Sequence, residues 1–258
     1  MKKLITAAMT LALAAGLASA QVESANIVGY TTQALPTEQQ IIIGMPFQNV
    51  GGGPVDLQDI VVSGVAANGG TFLWWWNKDT RLYTRAYWVE LYDALGAPVG
   101  VDGWGDQVDW IAIDKSFAAG EGFWIQAPAG ASVTVAGELV TATGDQPYLG
   151  IALPAEQQIQ LTNPMPVEST DLQSITMDGV PADATTGLWW WNKDTGIYTR
   201  AYWVELYDEF GSPVGGNGWG DFLSWEAIDK TFAAGEGFWI KAPAGATVRF
   251  ENPLYVAP

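Results

Sequence analysis

The chain has 258 residues and a formal net charge of −17, from 28 acidic and 11 basic side chains. Such a charge disfavours phosphate backbones and anionic membrane surfaces, so nucleic acid is not expected as a partner. With neither cysteine nor histidine, the chain can host no disulfide, Ser-His-Asp triad, Cys nucleophile or His/Cys zinc site.

The first 20 residues read as a signal peptide. Lys2 and Lys3 form a basic n-region, Leu4 to Gly16 a short apolar stretch, and Ala18-Ser19-Ala20 a small-residue cleavage site before Gln21. The apolar stretch is too short for a comfortable membrane span, and no second one follows. The mature chain is therefore expected outside the cytoplasm, secreted or periplasmic, with no membrane span.

Beyond the leader, short runs of β-branched and aromatic residues are bounded by Gly, Pro, Asn and Asp, the pattern of strands. The predicted strands are Asn26–Gln33, Gln40–Met45, Thr71–Trp76, Leu82–Val89, Gly122–Gln126 and Ser132–Val135. They recur as Tyr148–Leu153, Gln158–Thr162, Gly187–Trp191, Ile197–Val204, Gly237–Lys241 and Thr247–Glu251. Asp56–Ile60 and Asp171–Ile175 are each expected to form a short helical turn with Asp as N-cap.

The recurrence is a true repeat, since residues 73–130 return almost unchanged at 188–245 and the 14 tryptophans fall into seven pairs at one common offset. Two copies are too few for a solenoid, which needs at least ~3. The expected fold is all-β, with two tandem homologous sandwich-like or barrel-like modules, residues 21–143 and 144–258, divided near Thr141–Gln146. Asn77-Lys78-Asp79-Thr80 and its copy sit between aromatic runs as hairpin connections. Gly196 suits the left-handed residue of such a turn, whereas the first copy has Arg81 there and implies strain or a different shape.

Ala25-Asn26-Ile27-Val28-Gly29-Tyr30, Leu35-Pro36 and Gly120-Glu121-Gly122-Phe123-Trp124-Ile125 resemble a family of secreted bacterial two-repeat β proteins. That family has an A-N-x-V-G-Y start, an L-P…N-P segment and a G-E-G-F-[FW]-[IV] strand. Asn163-Pro164 matches the N-P element, whereas Met45-Pro46 departs from it. The resemblance implies a secreted β-rich protein with two related halves and carries over no catalytic residue.

Within each Trp triplet the strand period of two places the first and third rings on one face. Leu73 and its copy Leu188 share a face with Trp75 and Trp190, which are therefore assigned to the core. Trp74, Trp76, Trp189 and Trp191 are expected on a second surface. That surface is either a second buried layer, a contact between modules or subunits, or an aromatic platform for a ligand. Gly103-Trp104-Gly105-Asp106 and Gly218-Trp219-Gly220-Asp221 read as loops. Their glycines would let the backbone present the Trp ring, so Trp104 with Asp106 and Trp219 with Asp221 are candidates for ligand contact. The competing reading folds each Trp back as a lid on the core.

Asp79, Glu90, Asp93, Asp106, Asp114 and Glu121 all recur in the second copy, so a carboxylate pair of the glycosidase kind is chemically available. Asp102, Asp106 and Asp109 lack the spacing of a calcium loop. Gly120-Glu121-Gly122 precedes a strand, not a helix, and reads as a turn rather than a phosphate cradle. The expectation is a non-catalytic binding or structural protein, without cofactor or metal. It would contact extracellular polysaccharide or the cell surface through exposed Trp residues. The alternatives are a self-assembling extracellular structural protein, a homo-oligomer joined through that Trp surface, and a glycoside-acting enzyme with an Asp/Glu pair.

Overall fold

A computed structural model describes residues 28–140, 147–164, 168–192 and 194–252. The leader and the Thr141–Gln146 boundary lie outside the described residues. In the first copy the strands are β1 (Val28–Ala34), β2 (Ile41–Gly44), β3 (Phe47–Gln48), β4 (Val55–Asp56), β5 (Val61–Ser63) and β6 (Asn68–Asn77). They continue as β7 (Leu82–Tyr92), β8 (Pro98–Gly105), β9 (Ser116–Phe117), β10 (Gly122–Gln126) and β11 (Ser132–Leu139). The second copy holds β12 (Tyr148–Ala152), β13 (Gln158–Leu161), β14 (Ser169–Asp171), β15 (Ile175–Asp178) and β16 (Asp183–Asn192). It ends with β17 (Ile197–Tyr207), β18 (Pro213–Gly220), β19 (Thr231–Ala233), β20 (Phe238–Lys241) and β21 (Thr247–Glu251).

The protein is all-β, its small sheets arranged in a ring. Each copy builds a five-stranded antiparallel sheet, ordered β2-β10-β6-β7-β8 in the first and β13-β20-β16-β17-β18 in the second. A smaller sheet accompanies each one, centred on β11 or on β21. Between each pair of sheets lies a separate core. The first gathers Leu73, Trp75, Trp88, Trp104, Phe117 and Phe123, and the second gathers their counterparts Leu188, Trp190, Trp203, Trp219, Phe232 and Phe238. Burying such side chains stabilises the fold by ~1.5–3 kcal/mol each.

The expected helical turns are single 3-10 turns, Leu57–Asp59 and Leu172–Ser174. Asp56 caps the first by accepting from the Gln58 N–H at 2.8 Å, and Asp171 caps the second by accepting from Gln173 N–H at 2.7 Å. Among the described residues no helix is long and apolar enough to cross a membrane.

The hairpin turns follow the sequence closely. Arg81 and Gly196 each donate a backbone N–H to the carbonyl of the preceding Asn, at 2.8 and 2.9 Å. Both sit in the left-handed region, at φ 55° and 68°. For glycine this costs nothing, but for arginine it costs roughly 1–2 kcal/mol.

The copies are joined by a seam that the repeat makes twice with its roles exchanged. Ile43 of β2 bridges Glu236, and Leu161 of β13 bridges Glu121, both antiparallel. Gly44 N–H donates to the Gly235 carbonyl (3.1 Å), Gly237 N–H to Ile42 (3.2 Å) and Thr162 N–H to Gly120 (3.0 Å). Such close approach requires missing side chains. A Cβ on Gly44 would lie 2.0 Å from Thr162, one on Gly237 2.3 Å from Ile42, and one on Gly122 2.9 Å from Gln160. The Gly-Glu-Gly segments are thus turns, as expected, and their glycines also admit the edge strand of the opposite copy. The central glutamates hold each turn from within. Glu121 accepts from Ala118 N–H and pairs with Lys78 and Lys115. Glu236 accepts from Ala233 N–H and pairs with Lys230.

Candidate functional site

The Trp triplets obey the strand period. Trp75 and Trp190 enter the core of their own copy, edge-on to Phe117 and Phe232 with ring centroids 5.9 and 6.0 Å apart. Trp74, Trp76, Trp189 and Trp191 are half-buried on the opposite face. Two of them cross the seam, with Trp76 packing on the second core and Trp191 on the first. The Trp76 indole N–H donates to Gln157 Oε1 at 2.9 Å. Its counterpart on Trp191 is buried with no partner among the described residues.

Trp104 and Trp219 are corrected by the structure. Both are fully buried and lie within strands β8 and β18, not in loops. Each indole N–H donates inward, to the Ile60 and Ile175 carbonyls. The backbone at each Trp is clamped by Gln58 or Gln173, whose amide donates to the Trp carbonyl and accepts its N–H. The glycine before each Trp makes room for this clamp. A Cβ on Gly103 would stand 2.6 Å from Gln58 Oε1, and one on Gly218 2.6 Å from Gln173 Oε1. A ligand on the surface cannot touch either ring.

Asp106 and Asp221 shape the loops that follow. Asp106 accepts from the Val108, Asp109 and Ile111 N–H groups, and Asp221 from those of Leu223 and Ser224. These donors, the Asp109 N–H foremost for Asp106 and the Leu223 N–H for Asp221, hold both carboxyls below the usual carboxylate range. Their oxygens are committed to the chain's own backbone. Among the described residues no group of three or more Asp or Glu is placed to hold a metal.

One sequence difference decides the rest of the aromatic face. Phe72 stacks on Trp74 (5.5 Å), and Trp74 stacks on Trp124 (5.9 Å), while the Arg85 guanidinium lies over Phe72. The second copy has Gly187 in place of Phe72. There the Trp189 ring lies across the glycine, so close that a Cβ would sit 2.6 Å from it. Trp239, the counterpart of Trp124, instead stacks flat on Tyr198, with centroids 5.6 Å apart and planes 3° from parallel. Trp124 stands edge-on to Trp239 at 5.3 Å, so an aromatic cluster runs across the seam. Burial pushes the Tyr83 phenol up, and pushes that of Tyr198 up to about 12 with the Tyr83 charge adding to it.

Beside this cluster a cleft of about 550 Å³ opens between the copies. Trp76, Tyr83 and Arg81 of the first copy face Trp189, Glu156, Gln157, Gln158 and Lys241 of the second. The volume falls within the ~300–1,000 Å³ typical of ligand pockets. Lys241 pairs with Glu156 at 3.1 Å, both side chains well exposed, and such a pair contributes at most ~1 kcal/mol. The Arg81 side chain makes no ion pair, hydrogen bond or ring contact among the described residues, although its backbone N–H closes the hairpin turn.

Of the expected site residues, the structure brings Trp76 and Trp189 together in this cleft. Trp74 is committed to its stack, Trp191 to the opposite core, and Trp104, Asp106, Trp219 and Asp221 to their own copies. Sequence reasoning missed Arg81, Tyr83, Glu156, Gln157, Gln158 and Lys241. The available signal was divergence between otherwise matching copies, Arg81 against Gly196 and Lys241 against Gln126. No family model, curated protein or solved structure matches the chain.

Proposed function

We propose that this is a secreted, non-catalytic binding protein that holds a polysaccharide chain in the cleft between its two copies. The observation that supports this is the lining itself, in which three aromatic rings stand beside amide and charged side chains. A sugar ring presents C–H groups on its faces and hydroxyls around its rim. Indoles match the first, and Gln157, Gln158 and Glu156 match the second. Near-identity of the copies and the lack of histidine and cysteine favour binding over catalysis, and no catalytic residue is assigned.

The test is retention of the mature chain on insoluble polysaccharides, compared with Trp189→Ala. Loss of retention with an unchanged melting temperature is the expected result. Equal retention of both proteins would place binding elsewhere.

A second reading is self-assembly, favoured by apolar side chains exposed at matching loop tips. Leu95 and Val108 in the first copy correspond to Phe210 and Leu223 in the second. Concentration-dependent growth in light scattering, abolished by Leu95→Ser with Phe210→Ser, would support it over the polysaccharide reading.

A further inference from the structure

We infer that the cleft selects an acidic saccharide, one bearing carboxylates, and that the protein has one such site per chain. This rests on the polysaccharide reading of the cleft. The repeat provides an internal control. Rotating the roles of the copies maps Trp76 and Tyr83 onto Trp191 and Tyr198, and Trp189 onto Trp74, so the aromatic parts exist twice. The cationic parts do not, because Arg81 maps onto Gly196 and Lys241 onto Gln126. The room that lets Trp189 lie flat also exists once, since Gly187 maps onto Phe72. The features that distinguish the cleft from its counterpart are therefore two cations, the space beside Trp189, and Ala155 in place of Thr37.

The state of those cations points the same way. The protein is strongly acidic, and its other described Lys and Arg residues are occupied. Lys78 and Lys115 pair with Glu121, Lys230 with Glu236 and Arg249 with Asp178, while Arg85 and Arg200 lie over aromatic rings. Arg81 alone among them is free, and it occupies a left-handed position that its counterpart gives to glycine. The turn fixes that backbone through the Asn77 carbonyl, but no contact of the Arg81 side chain accounts for an arginine where glycine would sit without strain, which leaves its guanidinium available to a ligand. Lys241 holds only an exposed partner, Glu156, which a ligand carboxylate can replace. A guanidinium and an ammonium beside stacking rings suit a uronate, whose carboxylate lies at the edge of a sugar ring.

The experiment is calorimetric titration of the mature chain with an oligogalacturonate and with its methyl ester of equal length. It is run at physiological ionic strength, where charges more than ~8 Å apart are largely screened. The acid is expected to bind about tenfold more tightly than the ester, with one site per chain. Arg81→Gly and Lys241→Gln should each weaken the acid several-fold and the ester much less, so that the preference for the acid narrows. Both substitutions install what the other copy carries at the same place, so the fold should persist, and the melting temperature checks it. Equal affinity for acid and ester, indifference of acid binding to both substitutions, or two equivalent sites would each overturn the inference while leaving a saccharide-binding cleft. Binding of neither form, nor of any neutral polysaccharide, would overturn the polysaccharide reading itself.

Discussion

Phe72 in the first copy and Gly187 in the second occupy the same place in nearly the same strand, yet their surroundings differ. Phe72 props Trp74 upright against Trp124, closing that face as a stack. Gly187 removes the prop, Trp189 falls across it, and Trp239 is left to pair with Tyr198. Below the sheet, by contrast, Trp75, Trp88, Trp104, Phe117 and Phe123 all recur in the second core, and the rings differ only toward the smaller sheet, where the first adds Phe47 and the second has Phe250 in place of Val135. Interiors are packed at crystal-like density, so a duplicated core resists drift, while a partly wet face absorbs a substitution by re-seating its rings. The two copies thus share one scaffold and differ where a ligand could reach.

The comparison can be broken most severely in the cores, where it predicts equality. Trp104→Ala and Trp219→Ala should each cost ~3–5 kcal/mol, as should Trp75→Ala and Trp190→Ala. Urea titrations should show paired losses, and a loss near zero at Trp104 or Trp219 would contradict their burial. At the seam, Gly44→Ala drives a methyl into Thr162 and should cost about 1–3 kcal/mol. Scanning calorimetry should then resolve two transitions where the parent shows one, because each half keeps its own core. A single, merely lowered transition would mean that the halves unfold together without the seam.

The turns sharpen the comparison on a smaller scale. Arg81→Gly should stabilise by about 1 kcal/mol by removing left-handed strain, and Gly196→Ala should destabilise by a similar amount. Thermal melts read both, and a loss on Arg81→Gly would show that Arg81 makes a contact offsetting its strain.

The smallest effect is in pH. The Tyr198 phenol is raised to about 12 in the folded protein from an ordinary value of 10.0. The folded state therefore keeps a proton that the unfolded chain has lost. Stability is unaffected below the ordinary value, falls between it and the folded value, and falls no further above. Absorbance titration should show Tyr198 ionising last of the tyrosines in the intact protein, and Tyr198→Phe should remove that step.

Much of this molecule was legible before any coordinates. Alternation alone put Trp75 with Leu73 and sent Trp74 and Trp76 to the other face. The Asp56 and Asp171 caps and the left-handed residue at Gly196 followed from local chemistry. Strands β8 and β18 were not legible. Their Pro, Gly and Asp residues, in Pro98-Val99-Gly100-Val101-Asp102-Gly103, imitate a loop. Gly103 is required partly by Gln58, 45 positions away along the chain, and partly by Leu91 of the neighbouring strand, each 2.6 Å from where a Cβ would stand. Nor could the sequence reveal that Gly44, Gly122 and Gly237 face the opposite copy.

The sequence by itself determined strand period, side-chain face and turn residues, because each depends on neighbours a few residues apart. Tertiary structure decided what covers the second face, that Trp104 and Trp219 lie in the core, and that Trp76, Arg81, Lys241 and Trp189 border one cleft. Those outcomes depend on which distant backbones approach closely enough to exclude a side chain, and no local pattern encodes that distance.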